Sequence, residues 1–182
     1  MRVVYLLLAL LVVMILLLVY IAGLPEPAAS SGIMHPLIEN MRVGGDGLLR
    51  FIEVGPPAFW LQVVVLVFSM VLVLLGISER RRGRALYVCL GFCGALSLFS
   101  WYMVYNTYQF FLLTGEVNYF FGFPVPSGWM IYGTWLSGLA LVALYVLGFN
   151  RFIFTEEDEA EYLALVDEVQ SAGESGPDSG LI

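Results

Sequence analysis

The chain of 182 residues is 60% hydrophobic and 13% charged, whereas soluble domains are roughly 45–50% apolar and about 25% charged. Its net charge of −7 comes from one segment, because residues 156–182 hold nine acidic side chains and no basic one. This composition excludes an ordinary soluble domain. Since no basic patch lies outside one short loop, it also gives no support to nucleic-acid binding. We therefore predict an all-α integral membrane protein in the cell's inner (plasma) membrane.

The first predicted element, residues 1–22, is a transmembrane helix. A bilayer core requires about 20 apolar helical residues, and residues 3–22 are uninterrupted. The alternative is a secretory signal peptide, because the run follows Arg2 and precedes Ala28 and Ala29. The apolar core of such a peptide is about 7–15 residues long. This run is longer, so we expect an uncleaved anchor.

Residues 23–58 are predicted to be an extracytoplasmic loop with short elements of its own. Pro36 suits the first turn of a short helix over residues 36–41. Apolar residues within 48–52 recur at helical spacing, which leaves two alternatives: a short helix at the membrane surface or a loop packed on the ends of the spans. Pro56 and Pro57 are expected to end this element before the second span.

The second transmembrane helix is predicted over residues 59–77, and the loop that follows it, residues 78–84, sets the orientation of the chain. Short loops rich in Lys and Arg remain on the cytoplasmic side of a membrane. Both termini are then cytoplasmic, and residues 23–58 and 106–128 lie outside. We name this segment the arginine loop, because it holds four of the chain's eight basic residues: Arg80, Arg81, Arg82 and Arg84.

The third transmembrane helix is predicted over residues 85–105. Cys89 and Cys93 lie four positions apart on one helix face. No His or acid is near them in the sequence, so we interpret them as packing residues. Residues 106–128 follow as an outer segment whose first part is still compatible with a helix. Its many aromatic rings favour the membrane interface, where a ring is buried while its polar atom stays hydrated.

The fourth transmembrane helix is predicted over residues 129–149. Gly133 and Ser137 in it, like Gly91 and Gly94 in the third helix, are small residues that let helices approach closely in lipid. Two alternatives remain for their neighbours: helices of this chain or helices of another subunit. The two are compatible if they use different faces.

Residues 150–170 are predicted to form an acidic cytoplasmic helix, and residues 171–182 a disordered tail rich in Ser, Gly, Pro and acid. Thr155 suits an N-cap, and the acids after it suit the positive end of the helix dipole. The helix carries one apolar stripe on an acidic surface. It is either solvated, folded back onto the arginine loop, or docked on a basic partner. The stripe consists of Tyr162, Leu165, Val166 and Val169.

Residues that could transfer a proton, catalyse a reaction or bind a metal ion are scarce. The apolar runs of the four predicted spans, residues 3–22, 59–77, 85–105 and 129–149, contain no Asp, Glu, Lys, Arg or His, and ionisable residues inside a membrane usually mark a proton relay or ion path. This argues against a self-sufficient transporter, pump or protease. The single histidine, His35, has no evident partner for a metal site. We predict no catalytic residue, no metal site and no cofactor.

An aromatic helix with Trp101, an outer turn with Gly122-Phe123-Pro124 and the start of a cytoplasmic stretch at Asn150 follow one another within residues 86–162. In this order of motifs the segment resembles the small subunit of bacterial sodium/solute symporters. That family is typically a two-helix protein, whereas this chain has two further spans before the matching part. The resemblance implies an accessory subunit that pairs with a larger multi-span symporter, which carries the sodium and solute sites. It rests on an aromatic helix, an outer turn and the start of a cytoplasmic stretch: Trp101, Gly122, Phe123, Pro124, Trp129, Asn150.

The expected function is therefore that of a non-catalytic accessory subunit of a multi-subunit membrane complex, with the lipid bilayer and a larger multi-span membrane protein as partners. A sodium-coupled solute transporter is the first expectation. The alternative is a structural or assembly protein of another membrane complex, respiratory or envelope, which accommodates the extra helices more readily.

Overall fold

The computed structural model describes residues 2–25, 32–44, 47–154 and 156–174. Its secondary structure is dominated by helices, as predicted. In chain order the elements are α1 (Arg2–Ala22), β1 (Ile33–Met34), β2 (Arg42–Val43), α2 (Gly47–Leu75), a 3₁₀ turn (Glu79–Arg81), α3 (Arg84–Thr114), β3 (Tyr119–Phe120), β4 (Phe123–Pro124), α4 (Val125–Ile153) and α5 (Glu156–Glu174).

Four of these helices, α1 to α4, are long and apolar enough to cross a membrane, which confirms the number predicted from the apolar runs. Helices α2 and α3 have 29 and 31 residues. At 1.5 Å per residue each is more than 40 Å long, whereas a bilayer core is about 30 Å thick. Both helices therefore extend beyond the predicted spans. They do so at the same end of the molecule, where Gly47 lies against Leu112.

The four long helices form an open row rather than a closed bundle. Helix α1 packs mainly on α2, α2 on α3, and α3 on α4. Few apolar side chains are fully enclosed as a result, and large apolar residues cover the outside of the row. Among the described residues the enclosed ones are Leu7, Ile77, Leu86, Leu90 and Cys93.

Helix α1 meets α2 along a regular seam. Its less exposed residues recur at alternating intervals of four and three positions, the spacing of a coiled-coil seam. The residues between them, such as Leu8 and Val19, are exposed. A helix of almost uniform hydrophobicity therefore still presents one defined face to its neighbour. The seam consists of Val3, Leu7, Leu10, Met14, Leu17 and Ile21.

The prediction that Pro56 and Pro57 end a separate element is wrong, because both lie inside the continuous helix α2. A proline inside a helix removes one hydrogen bond and crowds the carbonyl four residues earlier. Packing on α3 offsets this loss. The Phe51 ring lies 4.9 Å from the ring of Tyr105 and 5.6 Å from that of Tyr108, which holds the first turns of α2 in line with the rest.

The predicted short helix over residues 36–41 is also wrong, since this segment connects β1 and β2 of an antiparallel hairpin. His35 Nδ1 accepts hydrogen bonds from the backbone N–H groups two and three residues later, both at 3.1 Å. Asn40 adopts a left-handed conformation with φ of 68°. These local bonds favour a turn over a helix.

Helices α3 and α4 are joined by a second hairpin, formed by β3 and β4. Helix α3 ends at Gly115, whose φ of 69° and N–H bond to the Phe111 carbonyl close the last turn. The hairpin turn has positive φ at Phe121 and Gly122. The helical continuation expected after residue 105 therefore extends through residue 114.

The tail is helical farther than predicted. Residues 171–174, expected to be disordered, form the last turn of α5. Residues 150–153, expected to belong to the acidic helix, instead complete α4 as a π-helical turn. Thr155, the predicted N-cap, and residues 175–182 lie outside the described residues.

Candidate functional site

The arginine loop is an ordered turn in which two of the four arginines have partners. Arg82 is nearly buried, and its Nε donates a 2.9 Å hydrogen bond to the carbonyl oxygen of Ile77. Its Nη1 lies 3.7 Å from Glu79 Oε1. A cation that binds carbonyls just beyond the end of a helix complements the negative end of its dipole. Arg82 therefore stabilises the end of α2.

Arg81 joins the arginine loop to the acidic tail. Its Nη2 lies 2.6 Å from Asp158 Oδ1 in the first turn of α5, and the two side chains are 20% and 33% exposed. At this residue pair the tail contacts the arginine loop, which is the second of the three alternatives given for it. A partly exposed pair of this kind contributes about 0–1 kcal/mol, enough to bias the tail without locking it.

Arg80 and Arg84 remain exposed. Within the part of the chain that the structure describes, neither side chain takes part in a hydrogen bond or an ion pair. Two positive charges at this end of the row are therefore open to an external anion.

We expect the substitution Arg81→Gln to loosen the first turn of α5, because it removes the charge that faces Asp158. Cleavage of α5 by a Glu-specific protease should become two- to fivefold faster at low salt, and the difference should shrink at high salt as exposed charges are screened. Arg80→Gln is the matched control, since Arg80 has no such contact. Equal cleavage of all three proteins would indicate a tail that is free in solution.

The small residue Gly133 lies at a contact between α3 and α4. Ser100 of α3 is buried, and its Oγ donates to the Leu96 carbonyl at 3.0 Å and to the Gly133 carbonyl at 3.2 Å. A Cβ placed on Gly133 would lie 3.1 Å from Ser100 Cβ and 3.1 Å from the Trp129 ring. The glycine thus permits both the close approach and the hydrogen bond, at the end of a π-helical turn.

The remaining small residues divide between inner and outer surfaces. Ser137 is buried, and a Cβ on Gly94 would make an ordinary 3.5 Å contact with Met70 of α2. Gly91 and Gly138 are exposed, and a Cβ on either would meet nothing within 4 Å. The first two serve packing within this chain, whereas Gly91 and Gly138 lie on open surfaces.

The residues that carried the symporter resemblance are spread over the molecule rather than gathered at one site. Trp101 Nε1 donates a 3.3 Å hydrogen bond to the Phe59 carbonyl, which ties α3 to α2. Trp129 packs edge-on against Phe99, with ring centroids 5.8 Å apart. Asn150 is exposed near the end of α4. The outer turn residues Gly122, Phe123 and Pro124 belong to the second hairpin.

No protein-family model matches this chain, and no curated protein or solved structure is significantly similar to it.

A cavity that the sequence did not indicate lies beside the second hairpin. It has a volume of about 470 Å³, and both polar and apolar side chains line it; Asn106, Gln109 and Glu116 are among the polar ones, and Phe110 and Phe111 among the apolar ones. The polar residues that follow position 105, such as Asn106 and Gln109, were the signal available for it. The polar side chains are exposed or half-exposed, so the cavity is open to the molecular surface.

No metal-binding group emerges in the described ranges, where no three His, Cys, Asp or Glu side chains cluster. His35 uses Nδ1 as an acceptor within its own turn. Cys89 is exposed and Cys93 is buried. Cys93 therefore has the packing environment predicted for it, whereas Cys89 lies on the exposed surface of α3, contrary to that prediction.

The apolar stripe on α5 is uncovered. Tyr162, Leu165 and Val169 are 60%, 55% and 70% exposed, and only Val166 is half-buried. The contact of Arg81 with Asp158 thus engages the first turn of α5 and leaves the stripe open.

Proposed function

We propose that this chain is a multi-pass protein of the inner membrane that acts as a non-catalytic accessory subunit of a larger membrane complex. The observation that carries the proposal is the outward face of α4. There Trp135, Leu139 and Val142 are 71%, 57% and 56% exposed around the open Gly138. Small residues beside large apolar ones are typical of helix–helix interfaces in membranes.

The proposed orientation places the arginine loop and both termini in the cytoplasm. The ion pair between Arg81 and Asp158 supports it, because the loop and the start of the tail must then lie on one side. The basic loop supplies the cytoplasmic preference. Residues 32–44, 47–58 and 106–128 then form the outer part of the protein.

We infer a partner that spans the membrane several times. The outer surface of α1 consists of large aliphatic side chains such as Leu8, Ile15 and Leu16, which suits lipid. The α4 face combines Gly138 with a Trp, which suits a close helix. The two edges of the row therefore have different neighbours in this proposal.

The partner proposed first is a sodium-coupled solute transporter, to which the resemblance of residues 86–162 points. The structural or assembly role in another membrane complex is favoured by a different observation. Helices α1 and α2 precede the matching part and contribute half of the row, which a two-helix subunit lacks.

Purification of the tagged chain in mild detergent tests the proposal, with co-purified proteins identified by mass spectrometry. We expect a multi-span membrane protein in near-equal amount with the wild type. Gly138→Leu should lower its recovery at least fivefold by blocking close helix approach, while the chain itself stays folded.

Ala9→Leu is the matched control, because it makes a similar small-to-large change on the exposed side of α1. Recovery of a sodium-coupled transporter would favour the first candidate, and recovery of another complex the second. The accessory role is refuted if no membrane protein is recovered with either the wild type or the control.

A further inference from the structure

An apolar groove runs between α2 and α3. It has a volume of about 390 Å³. Gly91 and Gly94 deepen it on the α3 side, because neither carries a side chain that would fill the space. The walls are hydrocarbon or thioether groups along almost their whole length. They include Val67, Met70 and Leu74 of α2, and Ala95 and Leu98 of α3.

The groove has one polar-tipped residue, Tyr87, and this residue lies at the end nearest the arginine loop. Arg84 precedes Tyr87 by three positions, hence on the same side of α3, and it is exposed. Along this face the surface changes from a cation to a phenol and then to purely apolar groups. An anionic phospholipid has the same order of polarity, from its charged headgroup to its acyl chain.

The length of the groove matches one leaflet. From Tyr87 to Leu98, eleven residues at 1.5 Å each span about 16 Å, and half of a hydrocarbon core is about 15 Å. Over that length a volume of 390 Å³ gives a mean cross-section of about 24 Å². The groove is therefore about three times as long as it is wide, a shape that suits a single extended chain.

We propose that the α2–α3 groove binds one acyl chain of an anionic phospholipid from the cytoplasmic leaflet, with its headgroup at Arg84. The inference rests on the membrane orientation proposed above and does not depend on any protein partner. Anionic lipids are concentrated in that leaflet and attract basic residues near the surface. Arg84 is available for this role because Arg81 and Arg82 are already engaged.

The test is native mass spectrometry of the purified chain. The chain is first reconstituted in vesicles of equal parts phosphatidylglycerol and phosphatidylcholine, then released in mild detergent. We expect the wild type to retain one phospholipid and to favour phosphatidylglycerol about fivefold, the factor that corresponds to about 1 kcal/mol per basic residue at an anionic surface.

Two variants test the contact with the acyl chain and the contact with the headgroup separately. Gly91→Leu fills the groove with an apolar side chain and should abolish retention. Arg84→Gln should keep the lipid but lose the preference for phosphatidylglycerol, and Arg84→Lys should restore it. Ala9→Leu is the matched control, because it makes a similar small-to-large change on the exposed side of α1 and should retain lipid as the wild type does.

Retention by Gly91→Leu equal to that of the wild type would overturn the assignment. So would a wild-type dimer that Gly91→Leu dissociates, since a second copy would then fill the groove. Extraction of the chain from the vesicles by alkaline carbonate would contradict the membrane placement itself. An inserted chain that retains no lipid contradicts only the groove assignment.

Discussion

Replacing all four arginines of the arginine loop with glutamate should expose this loop on the outer side of the membrane in a large fraction of molecules. In the proposed orientation, the change removes the four positive charges that favour the cytoplasmic side for this loop. The four remaining basic residues are then divided equally, with Arg2 and Arg151 on the side of the arginine loop and Arg42 and Arg50 on the opposite side, so no charge bias toward either orientation remains. No other single change in the chain is expected to alter its placement so strongly.

Two open glycines provide the reporters for this experiment. A Cβ on Gly83 or on Gly44 meets nothing within 4 Å, so a cysteine at either position should be tolerated once Cys89 and Cys93 are replaced by serine. With a membrane-impermeant maleimide, the parent protein should be labelled at position 44 only. The reversed loop should be labelled at position 83. Labelling confined to position 44 in both proteins would show that other determinants dominate.

Gly133→Leu should destabilise the contact between α3 and α4 by about 1–3 kcal/mol, the usual effect of overpacking. Its Cβ would come within 3.1 Å of both Ser100 and Trp129, and neither neighbour is free to move far. Ser100 is buried and bonded to the Gly133 carbonyl. The Trp129 ring packs against Phe99.

Thermal unfolding in detergent, followed by circular dichroism or by reactivity of the buried Cys93, measures this effect. Gly138→Leu is the matched control, because it adds the same side chain to α4 but in open space. It should change the free energy of unfolding by less than about 0.5 kcal/mol. If the two variants unfold at the same temperature, the Gly133 contact does not limit stability. Ser100→Ala should produce a smaller loss of about 1 kcal/mol by removing the hydrogen bond between the helices.

The number of long helices was predictable because apolar length is a local property. An uncharged apolar run of about 20 residues is favoured as a helix in the hydrocarbon core of a membrane. Its length is read directly from the sequence. The ends of the helices were less predictable. Helix α2 continues through Pro56 and Pro57 because Phe51 packs on α3, and a contact with a residue more than 50 positions away is not visible in the local pattern.

The hairpin at residues 33–43 shows the same limit at shorter range. Pro36 is compatible with both a helix start and a turn, and the two hydrogen bonds to His35 Nδ1 decide for the turn. The separate roles of the four arginines in the loop are visible only in the fold, because Arg81 contacts a residue 77 positions away, Asp158. The groove between α2 and α3 likewise needs both helices, although Gly91 and Gly94 were recognised as small residues suited to close packing.

The open row has a consequence for how the protein is made. Because each long helix packs mainly on its neighbour in the chain, α1 and α2 can complete their seam before α3 is synthesised, and each later helix adds to a finished surface. Pairing between neighbours keeps most contacts local in sequence, which favours fast folding. The row of described helices therefore forms without a late contact between its first and last members, and its outward faces stay accessible throughout synthesis.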